Sequence, residues 1–260
     1  MLDGRTVSVC SPVLNEAFFL PIWMKNVSEF ADEVLLQDGG STDGSPEIAQ
    51  EYAEKYSVNL KLTIDPQQGD PYSDDWDESV VRNKLLRACT SEYTMNMDVD
   101  EVVIPDDIRA TLFMMRDTNK SLATLKMIPF WRDLYTVRLN TPTDPRWFET
   151  PISRVMVTGQ WEYNEVKHHC SLQHIELGRS NEVFLRHVLA SGGRLFHLHY
   201  GFGKSGVKFR DNRRGDLGDP DEIDEGKVEP DFSEKPKGNW GEVKMASYSG
   251  PWPDVLQEYL

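Results

Sequence analysis

Apolar and polar positions along the first hundred residues switch between two periods. Thr6-Val7-Ser8-Val9-Cys10 alternates and runs into Ser11-Pro12, which predicts a short strand that ends in a loop. Phe19, Ile22, Trp23, Val27 and Phe30 then recur at helical spacing, with Pro21 suited to a first turn, and Val34-Leu35-Leu36 reads as a buried strand. After the turn-rich Asp38-Gly39-Gly40-Ser41-Thr42-Asp43-Gly44, Ser45 is placed to cap a helix whose first residue is Pro46 and whose apolar positions are Ile48, Tyr52 and Ala53. Residues 58–64 alternate again as a third strand, 65–78 lack any apolar period and read as a surface loop, and 79–89 regain helical spacing through Val80, Val81, Leu85 and Leu86. Residues 93–97 make a fourth strand. Strands and helices in this order predict an α/β fold with a mostly parallel sheet flanked by helices. Such sheets bind ligands at the carboxyl ends of their strands, where Asp38 and Asp98 fall.

Beyond Pro105 the pattern changes. One further helix over 108–115 is followed by β-rich segments at 122–127, 135–139, 152–157 and 194–200, which predicts a smaller mixed region on the acceptor side. From Asp211 the chain is rich in Gly, Pro, Asp and Glu, a composition that buries little apolar surface. The expected organisation is therefore a domain over 1–210, divided into 1–105 and 106–210, with an extended acidic tail over 211–260. Trp240, Tyr248, Trp252 and Tyr259 interrupt that tail and could pin it to the body.

The formal charge of -15 disfavours nucleic acid and anionic lipid as general partners, because the summed field repels them. No window approaches the roughly 18 uninterrupted apolar residues of a membrane span, and the first residues lack a basic stretch leading into an apolar one. The cytoplasm is the expected compartment. Cys10, Cys89 and Cys170 are widely spaced and read as small core residues. His168-His169-Cys170 lacks two further ligands at usable spacing for zinc.

Candidate chemistry centres on Asn96-Met97-Asp98-Val99-Asp100-Glu101, acidic at alternate positions after a strand. Side chains two apart on an extended backbone share a face, and two carboxylates on one face repel unless solvated or bridged by a cation. Mg²⁺ or Mn²⁺ is held by one or two carboxylates together with diphosphate oxygens, and it neutralises charge on a departing nucleoside diphosphate. An isolated Asp-x-Asp is more often a solvated strand end.

The surrounding motifs change its weight. Pro12-Val13-Leu14-Asn15-Glu16 after strand one, Asp38-Gly39-Gly40-Ser41-Thr42-Asp43-Gly44 after strand two, Arg82-Asn83 on a helix and then Asp98-Val99-Asp100-Glu101 resemble, in order and spacing, the family 2 glycosyltransferases with the GT-A fold, over roughly residues 5–105. The resemblance implies that Asp38 accepts a hydrogen bond from a uracil imide and that Pro12, Val13, Asn15 and Glu16 lie against the nucleoside. It places Arg82 at the base or the diphosphate, Asp98 at the ribose or the metal, Val99 among the nucleotide-sugar contacts, and the metal on Asp100. Where the family often has a second Asp, this chain has Gly39.

Inverting transfer also needs a base for the acceptor proton. Trp161-Glu162-Tyr163-Asn164-Glu165-Val166-Lys167-His168 is similar to a segment of the branch that includes lipopolysaccharide-core glucosyltransferases, which makes Glu165 the candidate, although Asn164 stands where that branch has His. Glu182, in Ser180-Asn181-Glu182-Val183-Phe184-Leu185-Arg186, is the rival. Phe196-His197-Leu198-His199-Tyr200 ends in a His-Tyr pair similar to one that recurs after a strand in the same branch, a resemblance that makes His199 the candidate further metal ligand, and Lys204, heading a basic stretch that runs to Arg214, could hold the diphosphate or close over it. The reading is an inverting transferase that moves a hexose from a UDP-sugar to a hydroxyl of a polysaccharide or lipopolysaccharide-type glycan, with Mn²⁺ or Mg²⁺ as cofactor. A glycosyltransferase acting on a modified nucleic-acid base, a sugar-phosphate nucleotidyltransferase and a non-catalytic sugar-nucleotide-binding module are the competing readings. The nucleotidyltransferase is disfavoured because Ser11 to Glu16 supplies no glycine- and lysine-rich phosphate loop.

Overall fold

A computed structural model of the chain describes residues 4–67, 77–131, 133–139, 150–167, 170–202 and 244–260. The first half runs β1 (Val7–Val13), α1 (Leu20–Val27), β2 (Glu33–Asp38), α2 (Ser45–Tyr56), β3 (Leu60–Ile64), α3 (Glu78–Ala88) and β4 (Tyr93–Asn96). It continues through β5 (Glu101–Val103), α4 (Pro105–Asp117), β6 (Leu122–Trp131), β7 (Asp133–Leu139), β8 (Thr150–Val157), β9 (Trp161–Tyr163), β10 (Leu172–His174), α5 (Asn181–His187), β11 (Val188–Tyr200), β12 (Lys244–Ser247) and a terminal 3-10 helix, Asp254–Tyr259.

One large sheet carries the order β12-β7-β6-β8-β4-β1-β2-β3, with β11 joined to β5 and β6. Its β3-β2-β1-β4 half is parallel throughout, as the alternating periods predict, and the mixed half begins where β8 pairs antiparallel with β4. Both halves therefore belong to a single sheet. Valines of β1, Trp23 and Met24 of α1, Met95 of β4 and Ile108, Leu112 and Met115 of α4 fill the core on one face. Leu85, Leu86 and Cys89 at the end of α3 cover Cys10 and Leu35 on the other, together with Trp161 and Tyr163. Cys10, Cys89 and Cys170 are free thiols, the first two buried as expected of core residues.

Two local expectations are corrected. β1 does not stop at Ser11 but continues through Pro12 to Val13, paired with Gln37 and Asp38. Cys10 faces β4, accepting from Met97 N at 3.1 Å, so Pro12 two residues on presents its missing N–H on the side where pairing with β4 has already ended. A proline there breaks no ladder bond. The cap of α2 is also displaced by one residue: Gly44, at φ 88°, stands before a helix that starts at Ser45. Asp43 Oδ1 accepts from Ser45 N at 3.0 Å and Ser45 Oγ at 2.6 Å, so Asp43 takes the role assigned to Ser45.

Residues 244–260, within the stretch expected to be an extended tail, are built into the body. β12 pairs with β7, Trp252 Nε1 donates to Leu134 O at 2.8 Å, and Val255 and Leu256 are buried. Tyr248 packs on Phe130 and Phe196, and Tyr259 on Phe202. The aromatic residues that break the acidic composition supply this anchoring; Trp240 and the rest of 211–243 lie outside the described residues. Among the described residues no helix is long and apolar enough to cross a membrane.

Candidate active site at the carboxyl ends of the parallel strands

β2, β1 and β4 are neighbours, so their carboxyl ends bring Asp38, Pro12-Val13 and Asp98 to one edge of the sheet. Hydrogen bonds between two loops shape the first part of this edge. Asp38 is fully buried; its Oδ1 accepts from Gly40 N and Ser41 N, both at 2.8 Å, and its Oδ2 from Ser41 Oγ at 2.6 Å. Ser41 Oγ in turn accepts from Asn15 N at 2.8 Å, and Asn15 Oδ1 accepts from Thr42 N at 2.8 Å. Asn15 holds φ 54°, a left-handed conformation that asparagine tolerates better than most residues. Glu16 N donates to Ser45 Oγ at 2.8 Å and Ala17 N to Asp43 Oδ2 at 3.0 Å. Asn15, Ser41, Asp43 and Ser45 thus zip the β1–α1 loop to the β2–α2 loop. Gly39 has room for a side chain, since a Cβ would meet Val13 O and Gln67 Cβ no closer than 3.5 Å.

The acidic segment is not an extended strand end. β4 stops at Asn96, and Asp98-Val99-Asp100-Glu101 forms a tight turn in which Glu101 N donates to Asp98 O at 3.0 Å and Asp98 N to Glu101 Oε2 at 2.9 Å. The expected face shared by alternate residues therefore does not apply. Val99 is buried in the core. Asn26 of α1 holds the far side of the turn, its side chain donating to Val103 O and accepting from Val103 N, both at 2.9 Å.

Two arginines converge on Asp98. Arg82 of α3 lies 2.9 Å from Asp98 Oδ1, while its Nε donates to Glu78 at 2.7 Å and its Nη1 to Asn96 at 2.6 Å. Arg154 of β8 donates from Nη2 to Asp98 Oδ2 at 3.2 Å and to Glu101. Tyr163 completes the floor, its hydroxyl donating to Asn96 Oδ1 at 2.8 Å. Asp100 faces His197 of β11, Nε2 to Oδ2 3.4 Å.

The electrostatics follow from this packing. Burial pushes the Asp98 carboxyl up, but Arg82 and Arg154 outweigh it and the net direction is down. Burial pushes Glu101 up as well, and with Asp98 and Asp100 adding to the effect against Arg154 it reaches about 7. For His197 burial opposes the imidazolium, yet Asp100 beside it turns the net direction upward. The site therefore holds positive charge buried beneath carboxylates at its rim, an arrangement suited to a ligand that carries both hydroxyls and phosphates.

Of the residues singled out from sequence, Pro12, Val13, Asn15, Glu16, Asp38, Arg82, Asp98, Val99 and Asp100 are gathered along this edge. Glu165 is exposed in the β9–β10 connection, which touches the amino end of α3 through Glu78 N donating to Lys167 O at 2.9 Å. Glu182 is exposed on α5 and ion-paired with Arg186 at 2.7 Å. The His187 end of that helix meets Ser121, which also binds Val157, on the side of the sheet where β4 begins. Lys204 and the side chain of His199 lie outside the described residues. Sequence reasoning missed Arg154, Asn96, Tyr163 and the placement of His197. The available signal for Arg154 was a lone charge inside the apolar run 152–157.

Residues 8–176 match the sequence profile described as Glycosyl transferase family 2. A TPR repeat-containing protein of Synechococcus elongatus is 34% identical over 98 residues, which span 38% of this chain and 21% of that protein. This chain thus matches about a fifth of that curated relative's length. Among solved structures, a mannosyltransferase from Pyrobaculum calidifontis in complex with GDP-Man and Mn²⁺ has a TM-score of 0.52 at 15% identity, covering 80% of this chain and 61% of that one. The 1–349 fragment of S. aureus TarS has a TM-score of 0.47 at 15% identity, covering 84% and 69%. The mannosyltransferase corroborates the fold alone, whereas the profile spans well over half of the residues and runs through Asp38, Arg82, Asp98 and Arg154, so the chain belongs to glycosyl transferase family 2.

Proposed function

We propose that the protein transfers a hexose from a UDP-sugar to a hydroxyl acceptor with inversion, the acceptor being a polysaccharide or lipopolysaccharide-type glycan. The observation that carries this reading is the convergence of Asp38, Arg82 and Asp98 on one edge of the parallel half-sheet, where α/β sheets take nucleotides. Asp38 reads the base once the Ser41 hydroxyl turns away: in its resting arrangement the carboxylate is fully buried, and Oδ2, held by Ser41 Oγ, is the oxygen that a uracil N–H would take over. Pro12, Val13, Asn15 and Glu16 form the wall against the nucleoside. Asp98 accepts from ribose hydroxyls, and Arg82 beneath it offsets diphosphate charge.

The donor set fits a divalent cation that takes most of its ligands from the substrate. Among the described residues no group of three or more His, Cys, Asp or Glu is arranged to hold a metal, and Asp98 is engaged by two guanidinium groups. Asp100 offers a hard carboxylate oxygen, which suits Mn²⁺ or Mg²⁺ completed by diphosphate and water, with His197 Nε2 at 3.4 Å to orient that carboxylate. A cation bound there stabilises the charge that develops on departing UDP. Glu165 takes the acceptor proton as the hydroxyl attacks the anomeric carbon; its connection lies beside the α3 terminus that carries Arg82, which favours it over Glu182.

The test is incubation with UDP-sugars and Mn²⁺ while UDP release is followed. UDP release that rises with a glycan acceptor supports the reading. Pyrophosphate formation from UTP and a sugar phosphate, or binding without turnover across many acceptors, would sink it.

A further inference from the structure

We infer, on the reading that this edge binds a UDP-sugar, that Arg154 is a positioning residue for the donor, acting through the Asp98 carboxylate. Asp98 stands on a turn outside the ladder, so neither β4 nor β5 fixes its side chain. Its two oxygens are held instead from two separate elements, Oδ1 by Arg82 of α3 at 2.9 Å and Oδ2 by Arg154 of β8 at 3.2 Å. Each guanidinium is anchored in turn. Arg82 is braced by Glu78 and Asn96, and Arg154 by Glu101, whose second oxygen accepts the Asp98 backbone N–H at 2.9 Å. A closed ring results, from Asp98 side chain to Arg154 to Glu101 and back to the Asp98 backbone.

This ring is costly for a purely structural device. Arg154 and Glu101 are almost wholly buried, and a buried ion pair contributes little net stability over apolar residues of similar volume. Arg154 Nε is moreover buried with no hydrogen-bond partner among the described residues, a penalty that a stabilising role leaves unexplained. What the ring does provide is a fixed carboxylate plane. Without Arg154, Asp98 keeps only Arg82 on one oxygen and is pushed by Asp100 and Glu101, so it loses the orientation in which it meets the donor. Both carboxylates are met by the one nitrogen Nη2, so a lysine supplies the charge but carries it on a shorter stem that reaches the pair less well.

The experiment is calorimetric titration of UDP with Mn²⁺ and no acceptor into the full chain and into Arg154→Met, Arg154→Lys, Asp98→Asn and the Asp98→Asn/Arg154→Met double variant, with melting curves to show that each is folded. The expected result is a Kd raised about tenfold or more by Arg154→Met, a smaller rise for Arg154→Lys, and no further rise when Arg154→Met is added to Asp98→Asn. Should Arg154→Met not fold, Arg154→Lys carries the test, with a measurable rise in Kd expected. UDP binding unchanged in the folded Arg154 variants, or losses that multiply in the double variant, would overturn this inference and leave the proposed function standing. A wild-type protein that binds no UDP would overturn both.

Discussion

Replacing Glu33 by Gln should lower stability at neutral pH by about 2 kcal/mol and leave almost no difference from wild type in acid. Glu33 opens β2, and its carboxylate ties the amino ends of β2, β1 and β4, whose opposite ends carry the site, and joins them to β3. Oε2 accepts from Ser8 Oγ of β1 at 2.6 Å and from Thr90 N, ahead of β4, at 3.0 Å, while Oε1 is paired with Lys61 of β3. Burial alone would raise its carboxyl, but Lys61, Ser8 and Thr90 bring it down from 4.5 to about 2. At about 1.4 kcal/mol for each tenfold in proton affinity, that fall corresponds to about 3 kcal/mol, and the half-exposed Lys61 reduces it toward about 2. A depressed folded value means that the stabilisation is complete above the unfolded value of 4.5 and disappears as pH falls through about 2. Urea unfolding of both proteins between neutral pH and about pH 3 should therefore show their difference shrinking by more than half. A difference that stays constant over that range would show that Glu33 acts through packing rather than through its charge.

Three further outcomes are expected. Asp100→Ala should remove the Mn²⁺ dependence of UDP release and lower kcat by about 100-fold or more; activity and metal dependence left intact would sink the proposed mechanism. Glu165→Gln should lower kcat by about 10²- to 10⁴-fold with donor binding unchanged, while Glu182→Gln, which removes only an exposed pair with Arg186, should leave kcat within about twofold, both read from steady-state kinetics. Asn26→Leu strands the buried Val103 N–H and C=O at once and should destabilise the protein by about 2–4 kcal/mol in urea unfolding.

The parallel half of the fold was legible because its information is local. Each strand and helix between Val7 and Asn96 carries its own period, short connections leave few ways to order them, and the parallel sheet then dictates that Asp38 and Asp98 meet at one edge. The mixed half was legible as segments but not as an arrangement. That β8 lies against β4 is a long-range antiparallel choice made by the sheet as a whole, and no hydrophobic period within 150–157 announces its neighbour. The tail was legible only in its aromatic residues for a related reason: the acidic composition of 211–243 says little about 244–260, where Tyr248 and Trp252, read as able to pin it, bury apolar surface with Val255 and Leu256 against β6, β7, β11 and α1.

At the site itself the limit was geometric. Alternation assumes that a strand continues, and here it ends at Asn96, so the spacing of Asp98 and Asp100 says nothing about a shared face. The stronger clue lay elsewhere. A single arginine within Ile152-Ser153-Arg154-Val155-Met156-Val157 must reach an opposite charge if the strand is central, because an unpaired guanidinium in the interior is too costly to retain. With Asp98, Asp100 and Glu101 concentrated in one turn, that turn is the natural destination, and the antiparallel pairing of Met95 with Val155 delivers Arg154 to it. Charge balance between an acidic turn and a lone basic residue in an apolar strand thus supplies a constraint on strand neighbours that hydrophobic periodicity does not contain.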